Sequence, residues 1–272
     1  MKIWVDGTIT EPESSRLSPF DHGFTVGDGV FETCKVVDGQ AFALSRHLRR
    51  LARSATGLAL PVPDESVVRE GVSALLAAEP AAGRVRITYT GGPGPLGSDR
   101  GDEGTTLVIA VSPGGRWEPT TKVSVVPWTR NERSAVAGLK TTSYAENVVA
   151  LAYAHDEGAS EAILANSRGE LCEGTGSNIF VVLDGGLVTP SLRSGCLAGI
   201  TRELVIEWCG AKEVDLDVSE LEHATEAFLT SSTRDVQPIH AIDARPLAST
   251  PGLVTESARA TFHERSASDI DP

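Results

Sequence analysis

Apolar positions along this chain recur every second residue in short runs and every third or fourth in longer ones, and the two periods predict strands and helices. Residues 3–5 and 8–9 flank Asp6-Gly7, a pair suited to the positive φ of a tight hairpin turn. Residues 31–37 and 40–43 about Asp38-Gly39 predict a second hairpin. Leu44, Leu48, Leu51 and Ala55 then form one face of a helix that Ser45 caps and Gly57 closes. His47 and Arg50 lie beside that stripe, where a side chain can turn inward, and a structural ion pair is one use for them. Asp64 caps a further helix with Val67, Val68, Val72, Leu75 and Leu76 inward. Strands at 85–90 and 105–111 enclose a Gly- and Pro-rich loop from Gly91 to Arg100, of the kind that often closes over a site. Ser112-Pro113-Gly114-Gly115 breaks the pattern, so the domain boundary is expected at about Trp117, giving domains 1–117 and 118–272.

In the second part, a strand at 122–127 precedes Lys140, and Ser143-Tyr144-Ala145-Glu146 has the form of a capping box that opens a helix. Tyr144, Val148, Leu151, Ala152 and His155 share one face of it. A strand at 161–165, a turn at 166–169 and a strand bearing Glu173 follow, then a hairpin about Asp184-Gly185-Gly186. Gly199-Ile200-Thr201 opens a helix with Ile200, Leu204, Val205 and Trp208 inward, closed by Gly210. A strand at 226–230 ends in Ser231-Ser232-Thr233-Arg234-Asp235, and from about Ser266 the chain is expected to fray.

Charge narrows the function classes. A net charge of -13 leaves no basic stripe for nucleic acid, so a nucleic-acid partner is not expected. No apolar run approaches a bilayer span, and the first residues form a strand and turn rather than a signal core, so no membrane partner is expected. Cys34, Cys172, Cys196 and Cys209 lie far apart without metal-ligand spacing, which fits buried, reduced thiols in a cytoplasmic protein and no metal site.

The candidate chemistry centres on Lys140, an ammonium among small apolar residues. Desolvation would lower its pKa toward the range in which an amine forms and exchanges a Schiff base. Arg50, the helix start at Gly199-Ile200-Thr201 and the hydroxyls of Ser231 and Ser232 could each hold a phosphate, the helix start through its backbone N–H groups. Residues 24–32, His47-Leu48-Arg49-Arg50-Leu51, Gly138-Leu139-Lys140, residues 173–180, residues 197–202 and Leu229-Thr230-Ser231-Ser232-Thr233 resemble, in that order, the class IV aminotransferases. These are fold-type-IV pyridoxal phosphate enzymes, and the resemblance covers nearly the whole chain. It implies an α/β (α+β) fold with a small N-terminal α/β domain and a larger C-terminal barrel-like domain, with the cofactor between them, and a homodimer acting on a small-molecule substrate. By the same resemblance Lys140 is the Schiff-base lysine and general acid/base. Glu173 faces the pyridine nitrogen, and Arg50, Ile200, Thr201, Ser231 and Ser232 hold the phosphate. Phe31 stands over the substrate pocket, to which Thr90 and Arg100 of the glycine-rich neighbourhood also belong.

Within the family the sequence resembles aminodeoxychorismate lyases most. The segment Lys140-Thr141-Thr142-Ser143-Tyr144 is similar to lyase-like members, and Tyr89-Thr90 stands where D-amino acid transaminases carry a carboxylate-binding arginine. The expected reaction releases pyruvate from 4-amino-4-deoxychorismate and leaves 4-aminobenzoate for folate. The alternative is a transaminase acting on branched-chain or D-amino acids, or on amines. A catalytically silent binding protein is a third possibility, against which Lys140, Glu173 and Arg50 argue.

Overall fold

The computed structural model describes residues 1–272 and divides into two compact units, Met1–Gly115 with Leu139–Tyr144 and Asp269–Pro272, and Arg116–Gly138 with Ala145–Ser268. In the first unit the strands are β1 (Ile3–Val5), β2 (Thr8–Thr10), β3 (Gly29–Val37), β4 (Gln40–Ala41), β5 (Arg84–Thr90) and β6 (Thr106–Ser112). They form an antiparallel sheet in the order β2-β1-β6-β5-β3-β4. Helices α2 (Leu44–Gly57) and α3 (Glu65–Ala78) cover it, and α1 (His22–Thr25) is a single turn before β3. Alternation decides which strand residues meet the helices. Val85, Ile87 and Tyr89 of β5 and Leu107, Ile109 and Val111 of β6 are buried with Leu48, Leu51, Val68, Val72 and Leu75, whereas Arg86 points to the other face.

Two parts of this unit differ from expectation. Ser45 does not cap α2, whose N-cap is Ala43 in a left-handed conformation with no side-chain cap. The C-terminal tail, expected to fray, supplies the acceptors instead: Ala43 N donates to Ile270 O (2.7 Å), and Ser45 N and Oγ donate to Asp271 (2.8 and 2.5 Å). The lysine segment also groups with this unit rather than with residues 118–272. The reason is an open strand edge: Phe31 N donates to Lys140 O (3.0 Å), Thr142 N donates to Gly29 O (2.8 Å), and Thr141 bridges Val30. The crossing into the second unit itself falls at Gly115–Arg116.

The second unit contains β7 (Thr121–Arg130), α4 (Ala145–Asp156), β8 (Glu161–Asn166), β9 (Leu171–Gly174), β10 (Asn178–Leu183), β11 (Gly186–Pro190), α5 (Ile200–Cys209), β12 (Lys212–Val214), β13 (Glu226–Ser231), β14 (Asp235–Ile242), β15 (Arg245–Pro246) and α6 (Leu253–Ser268). Its mixed sheet runs β12-β11-β10-β13-β14-β7-β8-β9, with β15 on β14. The last strand in that order, β9, lies against β10 and β11, so the sheet curls in the barrel-like manner expected. Val123, Ile163, Ile179, Val181, Leu229 and Ile239 fill its core. Helix α4 buries Asn147, Ala150 and Ala154, leaving Val148, Ala152 and His155 exposed, the reverse of the predicted face. Small residues let it approach Val126, Ala162 and Leu164 closely, and a helix apolar on every side gives periodicity nothing to choose by.

Candidate active site

Hydrogen bonding to β3 sets Lys140 in place, and Lys140 N also donates to Ser54 Oγ of α2 (3.2 Å). Its Nζ lies 4.5 Å from the centroid of the Phe31 ring and 6.0 Å from that of Tyr144, the two rings meeting edge to face. A half-buried amine against aromatic faces is held away from bulk water, as an attacking amine requires.

Behind it is a buried ionic cluster. Glu32 belongs to the core-facing set of β3, and α2 presents His47 and Arg50 to it one turn apart. Arg50 donates through Nε (2.7 Å) and Nη2 (2.6 Å) to the Glu32 carboxylate, and His47 Nδ1 is 2.6 Å from the same group. Burial alone would raise the Glu32 carboxyl, but the charge and hydrogen bonds of Arg50, joined by His47, hold it well below the usual carboxylate range. Burial likewise pushes His47 below its ordinary value, and the nearby Arg50 and Lys140 charges work in the same direction against the pull of Glu32. Arg50 is therefore in an ion pair. Glu32 engages the guanidinium side-on, through Nε and Nη2, which fixes its orientation.

The second unit carries the other expected groups. Glu173 of β9 accepts from Leu197 N (2.9 Å), and Arg130 Nε stands 3.5 Å from its other oxygen. Arg130 reaches on to Asn147 Oδ1 (2.9 Å), whose amide donates to Thr175 O (2.6 Å). Ile200 and the buried Thr201 begin α5, where the N-cap is Gly199, which has no side chain to accept from the first N–H groups. A Cβ on Gly199 would lie 2.0 Å from Asn178 Oδ1, so a larger residue there would have to displace the Asn178 side chain. Helix α5 packs on β13, which ends in Ser231, and Arg234 N donates to the Ser231 hydroxyl (3.2 Å). The second unit thus offers a carboxylate, a helix start and hydroxyls of the kinds that suit a phosphorylated pyridine ring, and the first unit an amine of the kind that meets an aldehyde.

Two expected pocket residues are engaged elsewhere. Thr90 Oγ1 donates to Asp21 (3.0 Å), and Arg100 grips Asp28 through Nε and Nη2 (2.6 and 2.7 Å) and the carbonyls of Ala59 and Leu58 (2.5 and 2.6 Å). Arg100 thus clasps the glycine-rich loop to the end of α2. A residue that sequence reasoning passed over shares the Phe31 ring with the lysine: the Arg86 guanidinium lies 3.8 Å over that ring, its hydrogen bond a long one to Thr88 (3.4 Å). The signal was present in the alternation of residues 84–90, which turns Arg86 to the face opposite the core.

Comparison with known proteins agrees with this chemistry. A model of the amino-transferase class IV family matches residues 29–242. A bifunctional aminodeoxychorismate lyase / D-amino acid transaminase of Mycobacterium tuberculosis is 30% identical over 92% of this chain and 94% of its own. An aminodeoxychorismate lyase of Bacillus subtilis is 30% identical over 96% of this chain and 93% of its own. The solved branched-chain aminotransferase of Thermoproteus uzoniensis is 30% identical, with a TM-score of 0.88 over 97% of this chain and 94% of its own.

Proposed function

The chain belongs to the class IV aminotransferases, a pyridoxal phosphate-dependent family, and from that premise we propose that it is a 4-amino-4-deoxychorismate lyase. Pyridoxal phosphate, when bound, supplies an aldehyde that condenses with amines and a ring that accepts an electron pair. On this reading Lys140 Nζ would hold the cofactor covalently and, as a free amine, would take the proton from the substrate carbon bearing the amine. The C–O bond to the enolpyruvyl group would break with its electron pair leaving on the oxygen, the enolpyruvate would take up a proton and become pyruvate, and the ring would become aromatic with the amine kept on the product. Glu173 keeps a proton on the ring nitrogen, and Arg50, Ile200, Thr201, Ser231 and Ser232 hold the phosphate.

The observation that carries the lyase reading is the distribution of cations. Position 90 offers a hydroxyl tied to Asp21, and Arg100 is paired with Asp28, whereas Arg86 stands on Phe31 with no carboxylate in salt-bridge range. That guanidinium suits one carboxylate of a dicarboxylate substrate. The second reading, a transaminase on amino acids or amines, draws on the similarity to the Thermoproteus enzyme and would have Arg86 take a single amino-acid carboxylate. The purified enzyme given 4-amino-4-deoxychorismate and no keto acid should release 4-aminobenzoate and pyruvate in equal amounts. Borohydride reduction should leave the cofactor on the tryptic peptide containing Lys140. Turnover only when a keto acid is added would establish the transaminase instead, and cofactor on another lysine would remove Lys140 from its role.

We further propose a homodimer in the cytoplasm. Leu17, Phe20 and Phe24 in the first unit and Trp128, Val148 and Val149 in the second are exposed apolar side chains, more than isolated surface residues explain. The cysteines are free, three of them buried, which suits a reducing compartment. Light scattering should give twice the chain mass, with Val149→Asp shifting it toward one chain; a monomeric wild type would reject the dimer.

A further inference from the structure

We propose that Glu161, the first residue of β8, is a positioning residue that couples the segment after Glu173 to the turn after Ser231, resting on the roles proposed above for Glu173, Ser231 and Ser232. The residue is 2% exposed and its carboxylate is bonded on both oxygens. Oε1 accepts from Ala162 N (3.1 Å), Thr175 N (3.0 Å) and the Thr175 hydroxyl, and Oε2 accepts from Ser177 Oγ (3.0 Å). Arg234 Nη2 lies 3.5 Å from Oε2. The guanidinium is fixed in turn by Gln237 Oε1 (2.5 Å), by Ser160 O (3.3 Å) and by the Trp117 ring at 3.7 Å. One buried carboxylate therefore binds the residues immediately after Glu173 and, through Arg234, whose own N–H holds the Ser231 hydroxyl, the residues immediately after β13. Gly174 makes this possible: a Cβ there would sit 3.1 Å from Glu161 Cδ and 2.4 Å from Ser177 Oγ.

Stability alone does not account for the arrangement. A buried ion pair gains little over apolar packing, because desolving both charges offsets their attraction. What the pair adds is a fixed geometry between two segments that would otherwise be loops, one holding the ring-nitrogen carboxylate and the other the phosphate hydroxyls.

The test uses the holoenzyme and three readouts: the dissociation constant for pyridoxal phosphate, the pH dependence of the bound cofactor's visible band, and the thermal midpoint. Glu161→Gln should weaken cofactor binding about tenfold or more, equivalent to about 1.4 kcal/mol, and shift the pH dependence of the band at a temperature where the protein is folded. Thr175→Val, which removes one hydroxyl and no charge, should weaken binding severalfold. Leu216→Ala, in the core of the same unit, should lower the midpoint and leave the other two readouts at wild-type values. Wild-type affinity and band in folded Glu161→Gln would overturn the proposal, as would an equal loss in Leu216→Ala. If Glu161→Gln does not fold, wild-type values in Thr175→Val would do so. Glu173→Gln and Ser232→Ala separate the two layers: no effect in either removes the residue roles beneath, whereas effects in both with none at Glu161 or Thr175 reject only the coupling.

Discussion

Arg86 occupies a position that fits neither core nor ordinary surface, its planar cation lying over an aromatic ring beside the candidate nucleophile. A charge-assisted hydrogen bond is worth about 1.5–3 kcal/mol, so Arg86→Leu should raise KM for an anionic substrate by about ten- to a hundredfold. Cofactor affinity should not change, because the groups proposed for the phosphate lie elsewhere. An unchanged KM would mean that Arg86 only packs on Phe31. Residues of this kind divide by how far away their meaning lies. Lys140 and Glu173 stand out in the sequence because each sits in a short motif whose neighbours single it out. Arg86 needed the face of its strand, and Glu32 needed its partners His47 and Arg50, 15 and 18 residues along the chain. Glu161 needed Arg234 from a turn far beyond it. An acidic residue in an apolar strand says that some cation must meet it, but not which one. The partners of Thr90 and Arg100 were hidden for the same reason, since nothing local indicates that Asp21 and Asp28 claim them.

Helix α2 carries both His47 and Arg50, and its first turn depends on a residue that is 226 positions away in the chain. Without a side-chain cap of its own, the helix start uses Asp271 and the Ile270 carbonyl. Losing a cap costs about 1 kcal/mol, so Asp271→Ala should lower the denaturation midpoint modestly. It should also speed hydrogen exchange at the amides of residues 45–47, and unchanged exchange there would show that the tail contact is incidental. The hairpins were legible because Asp-Gly pairs mark them locally, and α3 because Asp64 accepts from Ser66 N and Val67 N as a capping residue should. The tail was not legible, because its partners are on another element and its own composition is polar. Helix α6 buries only Thr255, Ala258 and Phe262 of sixteen residues, too sparse a stripe to stand out from a polar segment.

At the scale of the whole molecule, pH acts on stability through two opposed routes. Acidification toward the pI of about 4.9 removes the net charge of -13 and so relieves self-repulsion, which favours the folded chain. The buried cluster acts the other way. His47 has a folded pKa below its ordinary 6.5, so as pH falls through that value the unfolded chain takes up a proton that the folded chain refuses. The unfolded state then binds more protons, and stability falls with pH by up to about 1.4 kcal/mol per unit. Glu32, held low by Arg50, adds a second loss of the same sign once pH drops below its ordinary 4.5. The stability these groups contribute is thus fully present near neutrality and is lost first from His47, then from Glu32. A His47→Gln variant retains a hydrogen-bond donor toward Glu32 but has nothing to titrate. Charge relief acts on both proteins alike, so the difference between their unfolding free energies isolates the imidazole. Denaturant unfolding from pH 7.5 to 5 should give a variant whose stability declines less steeply than that of wild type below about pH 6.5. Parallel curves over that range would mean that His47 has the same pKa in the folded and unfolded chain, and a wild type that gains stability relative to the variant as pH falls would mean that His47 is protonated in the folded protein.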